Sequence, residues 1–266
     1  MTSDRGLCAR NLSFAYGASF AVRDVSLSLT PGDTVALVGP NGSGKTTLLR
    51  LLSGALRPVQ GAVSIDGRAL GASSPRHLAR KIAVVPQHVD PSLALTVESM
   101  VALGRTPYTG LFRPLSTLDR AALGQAMDAT ETTSLRRERF NELSGGEQRR
   151  VALAMAMAQG TEYLLLDEPT VHLDLHHQHA FFELLQALRS VRDMGILAVM
   201  HDLNLAALHF DTIVVMDAGS IQAQGAPEDI LHDPDAMSVF RAPLDVVSHP
   251  QTGTPQVLLQ RGPSQR

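Results

Sequence analysis

The stretch GPNGSGKTT, residues 39–47, decides how this chain must fold locally. It fits the pattern G-x-x-x-x-G-K-[ST] and lies between the apolar run TVALV (34–38) and an apolar helical segment that begins near Thr46. The glycines allow the backbone to curl so that its N–H groups point inward, and the helix adds the positive end of its dipole. The stretch therefore predicts a strand, a phosphate-binding loop and a helix in succession.

A second apolar run ends in two acidic residues. YLLLDE, residues 163–168, closes with Asp167 and Glu168. With a phosphate loop upstream, we expect Asp167 to hold the Mg²⁺ shell and Glu168 to act as general base on the attacking water. Lys45 is expected to bridge the β- and γ-phosphates and Thr46 to ligate Mg²⁺. A kinase or a GTPase would carry the same two motifs, so they do not decide the class of protein.

Apolar runs rich in β-branched residues recur along the chain and suit strands that are buried on both faces. Helix-sized segments such as 176–192 lie between several of them, which predicts α/β layers around a largely parallel sheet. From about 91 to 160 helical patterns prevail, with Ser116 and Asp119 as a weaker relative of a capping box. Residues 245–259 predict a small terminal hairpin. The apolar runs are VSLSL (25–29), TVALV (34–38), KIAVV (81–85), YLLL (163–166), ILAVM (196–200) and TIVVM (212–216).

Composition excludes several classes of protein. The 266 residues include 44% hydrophobic and 18% charged residues, which is ordinary for a globular chain. A net charge of -3 and only 4% aromatic residues argue against a nucleic-acid partner. Cys8 is the single cysteine, the N-terminus lacks the apolar core of a signal peptide, and no run is long enough to span a membrane. We expect a cytoplasmic chain that serves any membrane from outside the bilayer.

The stretch that discriminates between classes is LSGGEQ, residues 143–148. Ser144 and Glu147 form the S-x-x-E pattern of a capping box, and the two glycines between them leave the first-turn N–H groups unhindered. This predicts a second anion-binding helix start in a chain with a single strand-end carboxylate pair. The second helix start would then reach a nucleotide held by another copy, which predicts a dimer.

With these motifs in this order, the chain resembles the ATP-binding subunit of an ABC transporter over residues 7–240. The resemblance implies an α/β fold of the P-loop NTPase class, with a RecA-like core sheet, an N-terminal antiparallel β subdomain and an inserted helical subdomain. It assigns residues 1–90 and 161–240 to the nucleotide-binding core and 91–160 to the helical subdomain with the signature motif. Residues 241–266 would form the C-terminal hairpin and tail.

The resemblance also assigns roles to single residues. Tyr16 resembles the aromatic residue that stacks on adenine, Gln87 the glutamine that contacts Mg²⁺ and water, and His201 the histidine that senses the γ-phosphate. Val171 departs from the serine or alanine that the family usually has before Leu-Asp, although Asp174 still matches. The implied catalytic residues are Glu168, His201 and Gln87, and the implied Mg²⁺ ligands are Thr46, Gln87 and Asp167. The implied ATP-binding residues are Tyr16, Gly39, Pro40, Asn41, Gly42, Ser43, Gly44, Lys45, Thr46, Thr47, Ser144, Gly145, Gly146, Glu147 and Asp174.

Four histidines near the second carboxylate motif have a spacing that would allow a metal site on one helix face. No cysteine or suitable carboxylate set accompanies them, so solvated helix polarity is the preferred interpretation. The four are His172, His176, His177 and His179.

The resemblance implies that two copies close around two ATP molecules and drive a separate permease from the cytoplasmic face of the inner membrane. The permease would dock near Gln87 and the helical lobe around Tyr108, and a substrate-binding protein would deliver the cargo. MVALGRTPYTGLF (100–112), LSTLD (115–119) and HDLNLAALHFD (201–211) are similar to importer ATPases for iron-siderophore, haem and cobalamin permeases. Ferric siderophore or haem is preferred over cobalamin, and a separately encoded exporter ATPase or a non-transport regulator stays open.

Overall fold

The structure is a computed structural model of the chain, and it describes residues 5–17, 19–87, 89, 94–109, 114–171, 173–191 and 193–260. The strands are β1 (Leu7–Tyr16), β2 (Ser19–Leu29), β3 (Thr34–Val38), β4 (Gln60–Ile65), β5 (Arg68–Ala69), β6 (Ile82–Val85), β7 (Tyr163–Asp167), β8 (Gly195–Val199), β9 (Thr212–Asp217), β10 (Ser220–Gly225), β11 (Leu244–Ser248) and β12 (Pro255–Leu259). The helices are α1 (Lys45–Leu52), α2 (Pro75–Leu78), α3 (Val97–Ala102), α4 (Thr106–Thr109), α5 (Thr117–Ala129), α6 (Gly145–Gln159), α7 (Leu175–Val191), α8 (Leu203–His209), α9 (Pro227–His232) and α10 (Pro234–Ser238).

The chain divides into two compact units. Unit 1 comprises Met1–Leu29, Asp33–Ala69 and Leu197–Arg266, and unit 2 comprises Thr30–Gly32 and Leu70–Ile196. The subdomain boundaries implied by the sequence resemblance stay a prediction.

Unit 1 contains an antiparallel sheet with the strand order β2-β1-β4-β5, in which Leu7 pairs with both Leu29 and Ile65. In the VSLSL run, Val25, Leu27 and Leu29 are buried whereas the two serines between them are exposed. The grouping of this run with strands buried on both faces was therefore wrong. The serines leave one face of the strand polar, as is common in antiparallel sheets that are covered on one side.

The same unit contains strands in the order β10-β9-β3, followed by the last three residues of β8, Leu197–Val199. β3 runs parallel to β9 with Val38 beside Val215, and all five β3 residues are buried. The polar groups at the start of the pair are satisfied, because the Thr34 hydroxyl donates to Asp211 over 2.9 Å. Helix α1 packs against β1 and β2. The glycine-rich loop joins the carboxyl end of β3 to this helix.

In unit 2, β6 and β7 form a parallel pair in which Val85 lies beside Leu166. All five residues of β7 are buried, and helix α6 contacts β6. Helices α3, α5 and α6 pack on one another, and the described residues from 94 to 160 contain no strand. Ser116 and Asp119 form a complete reciprocal capping box at the start of α5, so their description as a weaker relative was too cautious.

The predicted terminal hairpin is present in unit 1 as β11 and β12, with Ser248 paired to Pro255 across the turn. Asn204 of α8 holds it, because its side-chain amide donates to the Val257 oxygen over 3.1 Å and accepts from the Val257 N–H over 2.6 Å. The amide thus pairs with β12 as a neighbouring strand would. Among the described residues, none of the helices is both long and apolar enough to cross a membrane.

Candidate functional site

The loop at the end of β3 depends on glycine at each of three positions. Gly39, Gly42 and Gly44 have φ values of 146°, 78° and 100°, in the region that side chains of L-residues rarely adopt. A Cβ at Gly39 would overlap with the Met216 carbonyl oxygen, and a Cβ at Gly44 would overlap with the Ala21 carbonyl oxygen. Gly42, in contrast, has no atom within 4 Å of where its Cβ would lie. The first and third glycines are therefore packed against their own unit, and the middle one faces open space.

The loop folds around the ammonium group of Lys45, which is only 5% exposed. Its Nζ donates to the Gly39 and Pro40 carbonyl oxygens, each over 2.8 Å, and lies 3.4 Å from the Ser43 hydroxyl. Burial of a cation is tolerated only where such hydrogen bonds exist. Helix α1 starts at this cation with Gly44 as its N-cap, no side-chain cap and no acidic residue in its first turn. A positive charge and a helix start without its own anion form a suitable site for a polyanion.

Of the remaining residues predicted for the loop, Ser43 is buried, Asn41 is exposed, and Pro40, Thr46 and Thr47 are half-buried. All of them lie in unit 1, at the carboxyl end of β3 and the first turn of α1. Their individual contacts with a nucleotide stay a prediction.

Two further predicted residues belong to unit 1. Tyr16 ends β1, is 52% exposed and meets Phe14 edge-on at 4.9 Å between ring centroids, so it is not a core residue. His201 is exposed and follows Met200, whose N–H donates to the Leu37 oxygen over 3.0 Å. His201 thus lies at the same end of β3 as the start of the loop. The adenine-stacking and phosphate-sensing roles of the two residues stay predictions.

Unit 2 brings together the predicted glutamine and the predicted general base. Asp167, the last residue of β7, has only 7% exposure, and Glu168 follows it with a φ of 49°. Gln87 lies two residues beyond β6, and its side-chain Nε2 donates to the Glu168 carboxylate. The parallel register explains the contact, since Val85 and Leu166 are paired and both side chains follow two residues later. This pairing is the arrangement that could orient and deprotonate a water molecule.

Arg149 is the residue that sequence reasoning missed. It lies in the second turn of α6, and its guanidinium donates to the Pro86 oxygen over 2.8 Å and to the Gln87 oxygen over 3.0 Å. A longer contact of 3.5 Å reaches the Glu168 backbone oxygen. Burial lowers the pKa of Arg149 below its ordinary value, whereas the nearby Asp167 and Glu168 carboxylates oppose this shift. The doublet Arg149-Arg150 after LSGGEQ was the only signal in the sequence.

The predicted capping box at the start of α6 is present. The Ser144 N–H and hydroxyl donate to the Glu147 carboxylate over 2.8 and 2.6 Å, and the Glu147 N–H donates back to the hydroxyl over 3.4 Å. The hydrogen bonds from Ser144 hold the pKa of Glu147 below its ordinary value. A Cβ at Gly145 would meet no atom within 4 Å, whereas a Cβ at Gly146 would overlap with the imidazole ring of His177.

His177 is fixed by Asp174, whose carboxylate accepts the His177 N–H over 2.9 Å and lies 2.8 Å from Nδ1. These hydrogen bonds lower the pKa of Asp174. The His177 side chain is 34% exposed and lies close to Gly146, so it is only partly solvated. Within the described part of the chain no group of three His, Cys, Asp or Glu residues could hold a metal ion, and His172 lies outside that part.

The donor chemistry present fits Mg²⁺. Within unit 2, Asp167 and Gln87 carry carboxylate and amide oxygens, and Thr46 of unit 1 carries a hydroxyl oxygen; that the three share one ion stays a prediction. Hard oxygen donors with one or two carboxylates are what Mg²⁺ prefers when it accompanies a phosphate substrate.

The predicted permease-docking face near Tyr108 has a packing function of its own. The Tyr108 hydroxyl donates to the Gln159 oxygen over 3.0 Å, and the ring lies 3.9 Å from the Arg105 guanidinium and 4.9 Å from that of Arg80. Substitution of Tyr108 would therefore disturb unit 2 whether or not a permease docks there.

Comparison with known proteins finds a family and similar structures that cover most of the chain. The family model for ABC transporters matches residues 22–171. The hemin import ATP-binding protein HmuV of Thermobifida fusca (strain YX) is 40% identical over 252 residues, which cover 95% of this chain and 88% of that protein. A structure described as an inward-facing conformation of a metal-chelate type ABC transporter has a TM-score of 0.83 at 27% identity and covers 97% of this chain and 98% of its own. The dimeric structure of the bacterial ABC transporter cassette MJ0796 has a TM-score of 0.73 at 27% identity and covers 83% and 98%.

Proposed function

The chain belongs to the ABC transporter family, and on that premise we propose that it is the ATP-hydrolysing subunit of an importer for an iron chelate. The cargo would be haem or a ferric siderophore, and it would pass through a separate membrane permease. Support for this cargo comes from the hemin import relative and the metal-chelate type transporter, which match 95% and 97% of this chain.

The observation that carries the hydrolytic role is the hydrogen bond from Gln87 to the Glu168 carboxylate beside the buried Asp167. In the proposed reaction, Glu168 accepts a proton from the attacking water, and Gln87 orients that water. His201 would contact the γ-phosphate. Each of these residues follows a strand of the core by one or two positions.

The loop of unit 1 would bind the triphosphate. Lys45 would exchange its two carbonyl partners for phosphate oxygens, and the first-turn N–H groups of α1 would face the same anion. Tyr16 would stack on the adenine. Thr46, Asp167 and Gln87 would hold Mg²⁺, which neutralises phosphate charge as it develops during transfer.

We further propose that two copies of the chain form the active unit. The MJ0796 cassette has a dimeric structure, and the LSGGEQ helix start is expected to complete the site of the other copy, with Asp174 in the loop that follows Glu168. The assembly would lie on the cytoplasmic face of the membrane, where a permease receives its motion and a substrate-binding protein supplies cargo.

Uptake measurements in the host organism test this proposal. The gene is deleted and restored as wild type, as Glu168→Gln or as Glu162→Gln, and uptake of labelled haem, ferric siderophore and cobalamin is followed. Glu162 is a matched control, because it precedes the opposite end of β7 and pairs with Lys81 near the surface.

We expect loss of haem or siderophore uptake in the deletion, with rescue by wild type and Glu162→Gln but not by Glu168→Gln. Loss of cobalamin uptake alone would contradict haem or siderophore as the cargo but would support the assignment as an importer. Persistence of all three would contradict the chelate importer and direct the search to an exporter or a regulator. Normal ATP turnover by purified Glu168→Gln would remove the general-base assignment.

A further inference from the structure

One arginine of the signature helix reaches the two strand ends that carry the proposed catalytic side chains. Arg149 is 63 residues away from Pro86 in sequence, yet its Nη1 donates to the Pro86 oxygen over 2.8 Å. Its Nη2 donates to the Gln87 oxygen over 3.0 Å and lies 3.5 Å from the Glu168 oxygen. A single planar guanidinium thus contacts three carbonyls at the ends of two paired strands, a geometry that the compact ammonium of lysine cannot reproduce.

The backbone of Glu168 needs such support. Its φ of 49° lies in the left-handed region, which a non-glycine residue adopts only where its surroundings hold it there. The carbonyl that Arg149 approaches belongs to this strained residue, and the Glu168 side chain accepts the hydrogen bond from Gln87. The guanidinium therefore contacts the backbone oxygens of both Gln87 and Glu168, the two residues whose side chains are hydrogen-bonded to each other.

Charge adds to the geometry. The half-buried guanidinium interacts with the adjacent Asp167 and Glu168 carboxylates, which would otherwise repel each other at the end of β7. Since arginine keeps its charge at any physiological pH, it supplies a constant positive field there. The same residue belongs to α6, which begins at Gly145 immediately after Ser144. The Arg149 side chain thus connects the helix that begins at LSGGEQ to the Gln87–Glu168 pair.

We propose that Arg149 is a positioning residue for ATP hydrolysis, which holds the backbones of Gln87 and Glu168 in the geometry of their mutual contact and ties that geometry to the signature helix. This inference rests on the proposed function of the chain as an ATPase. Arg149 acts through Gln87 and Glu168 and has no direct contact with the nucleotide in this assignment. Its substitution should therefore change the rate of the chemical step and leave nucleotide binding largely intact.

The test compares Arg149→Ala and Arg149→Lys with Arg105→Ala in the purified full-length protein. Arg105 is a matched control, because it is also largely buried in unit 2, donates to the Ala158 oxygen over 2.8 Å and pairs with Asp119 over 2.9 Å. It differs from Arg149 in that it contacts residues of helices α5 and α6 and does not contact Gln87 or Glu168. For each variant we would measure kcat and KM for ATP, the affinity for a fluorescent ATP analogue, and the thermal unfolding midpoint.

We expect kcat of Arg149→Ala to fall by about ten- to a hundredfold, the range that misplacement of reacting groups by a distant residue produces. Nucleotide affinity should stay within about twofold of wild type, a small change in binding free energy. The reason is that Arg149 is assigned no direct contact with the nucleotide. Arg149→Lys should recover the charge but only part of kcat. Free guanidinium, at concentrations that leave wild-type unfolding unchanged, should partly restore Arg149→Ala. Arg105→Ala should lower the unfolding midpoint without lowering kcat per folded molecule.

The inference is overturned if kcat of Arg149→Ala equals that of wild type or falls no further than that of Arg105→Ala. It is also overturned if affinity and kcat fall together, because that pattern indicates general damage to the fold. Where Arg149→Ala fails to fold, Arg149→Lys carries the same comparison. A wild-type protein without ATPase activity would contradict the proposed function itself, which separates the two failures.

Discussion

The two glycine-containing helix starts, residues 39–45 in unit 1 and 143–147 in unit 2, share a design and differ in charge. In each, one or more glycines press against their own unit while another faces open space. Gly39 meets the Met216 oxygen and Gly146 meets the His177 ring, whereas Gly42 and Gly145 have no atom within 4 Å of the point where a Cβ would lie. Packing therefore disfavours a side chain at Gly39 and Gly146, and the positive φ of Gly39 disfavours one there independently.

The charges at the two helix starts are opposite. Helix α1 begins at the buried ammonium of Lys45 and has no acidic residue in its first turn. Helix α6 begins with a Ser144–Glu147 box, so a carboxylate of its own already lies among its first-turn donors. The first start therefore combines a cation with a helix N-terminus that has no acidic residue in its first turn, which favours an anion. The second already has a carboxylate of its own, which opposes the approach of a further anion, so its expected contact with a nucleotide held by another copy stays a prediction.

The largest expected effect comes from removal of the cation at the first start. Lys45→Ala should weaken ATP binding by more than about a hundredfold, because charge-assisted hydrogen bonds contribute about 1.5–3 kcal/mol each and two would be lost. Lys81→Ala is the control, since Lys81 pairs near the surface with Glu162. Titration of the monomeric protein with a fluorescent ATP analogue measures the change.

The same titration with Glu147→Gln tests the second helix start, at residues 143–147. It should leave the affinity of the monomer for nucleotide nearly unchanged, because α6 is not expected to bind nucleotide alone. A large loss of affinity with Glu147→Gln, or a normal affinity with Lys45→Ala, would remove the distinction between the two starts.

A smaller effect is expected from the glycines of the second start. Gly146→Ala places a methyl group in the His177 ring, which is tied to Asp174 and cannot turn away freely, so we expect a loss of about 1–3 kcal/mol in the free energy of unfolding. Gly145→Ala should fold at least as stably as wild type, because alanine is a better helix former than glycine by about 1 kcal/mol. Urea unfolding followed by circular dichroism compares the two.

A double variant identifies the cause of the loss. In a protein that already carries His177→Ala, Gly146→Ala should cause little further loss in the free energy of unfolding, because the overlapping ring is gone. Equal losses in the presence and absence of the ring would show that backbone conformation, and not the overlap with His177, makes glycine necessary at residue 146.

The features that could be predicted from the sequence are local ones. The TVALV strand, the loop that follows it and the Ser144–Glu147 box each depend on residues within a few positions of one another, and the structure contains all three. The family resemblance added the distant pair of Gln87 and Glu168, which the structure joins by a hydrogen bond.

What could not be predicted depends on contacts between distant segments. Arg149 and the Gln87 oxygen are 62 residues apart, and backbone carbonyls carry no signal in a sequence. The ring of His177 against Gly146 was missed for the same reason, because a histidine on a helix is ordinarily solvated. VSLSL was misassigned because its apolar residues were weighed without its alternating serines. The cargo is chosen by other proteins, so no residue of this chain reports it.

The smallest effect separates helix capping from nucleotide chemistry, because the chain contains a second box of the same type. Ser116 and Asp119 at α5 form the same reciprocal bonds as Ser144 and Glu147, but away from the LSGGEQ stretch. Ser116→Ala and Ser144→Ala should each lower the free energy of unfolding by about 1 kcal/mol at pH 7, the usual effect of a lost cap. Only Ser144→Ala should also lower ATP turnover.

The pH dependence identifies the source of this stability. Hydrogen bonds from Ser116 lower the pKa of Asp119, and those from Ser144 lower the pKa of Glu147. A carboxylate with a lowered folded-state pKa contributes stability above its unfolded value, which is about 4, and loses it as pH falls through the folded value. The difference between wild type and each serine variant should therefore be full at pH 7 and shrink below about pH 4. Amide hydrogen exchange at Asp119 and Glu147 measures it locally, and a difference that persists in acid would assign the stability to the serine hydroxyl alone.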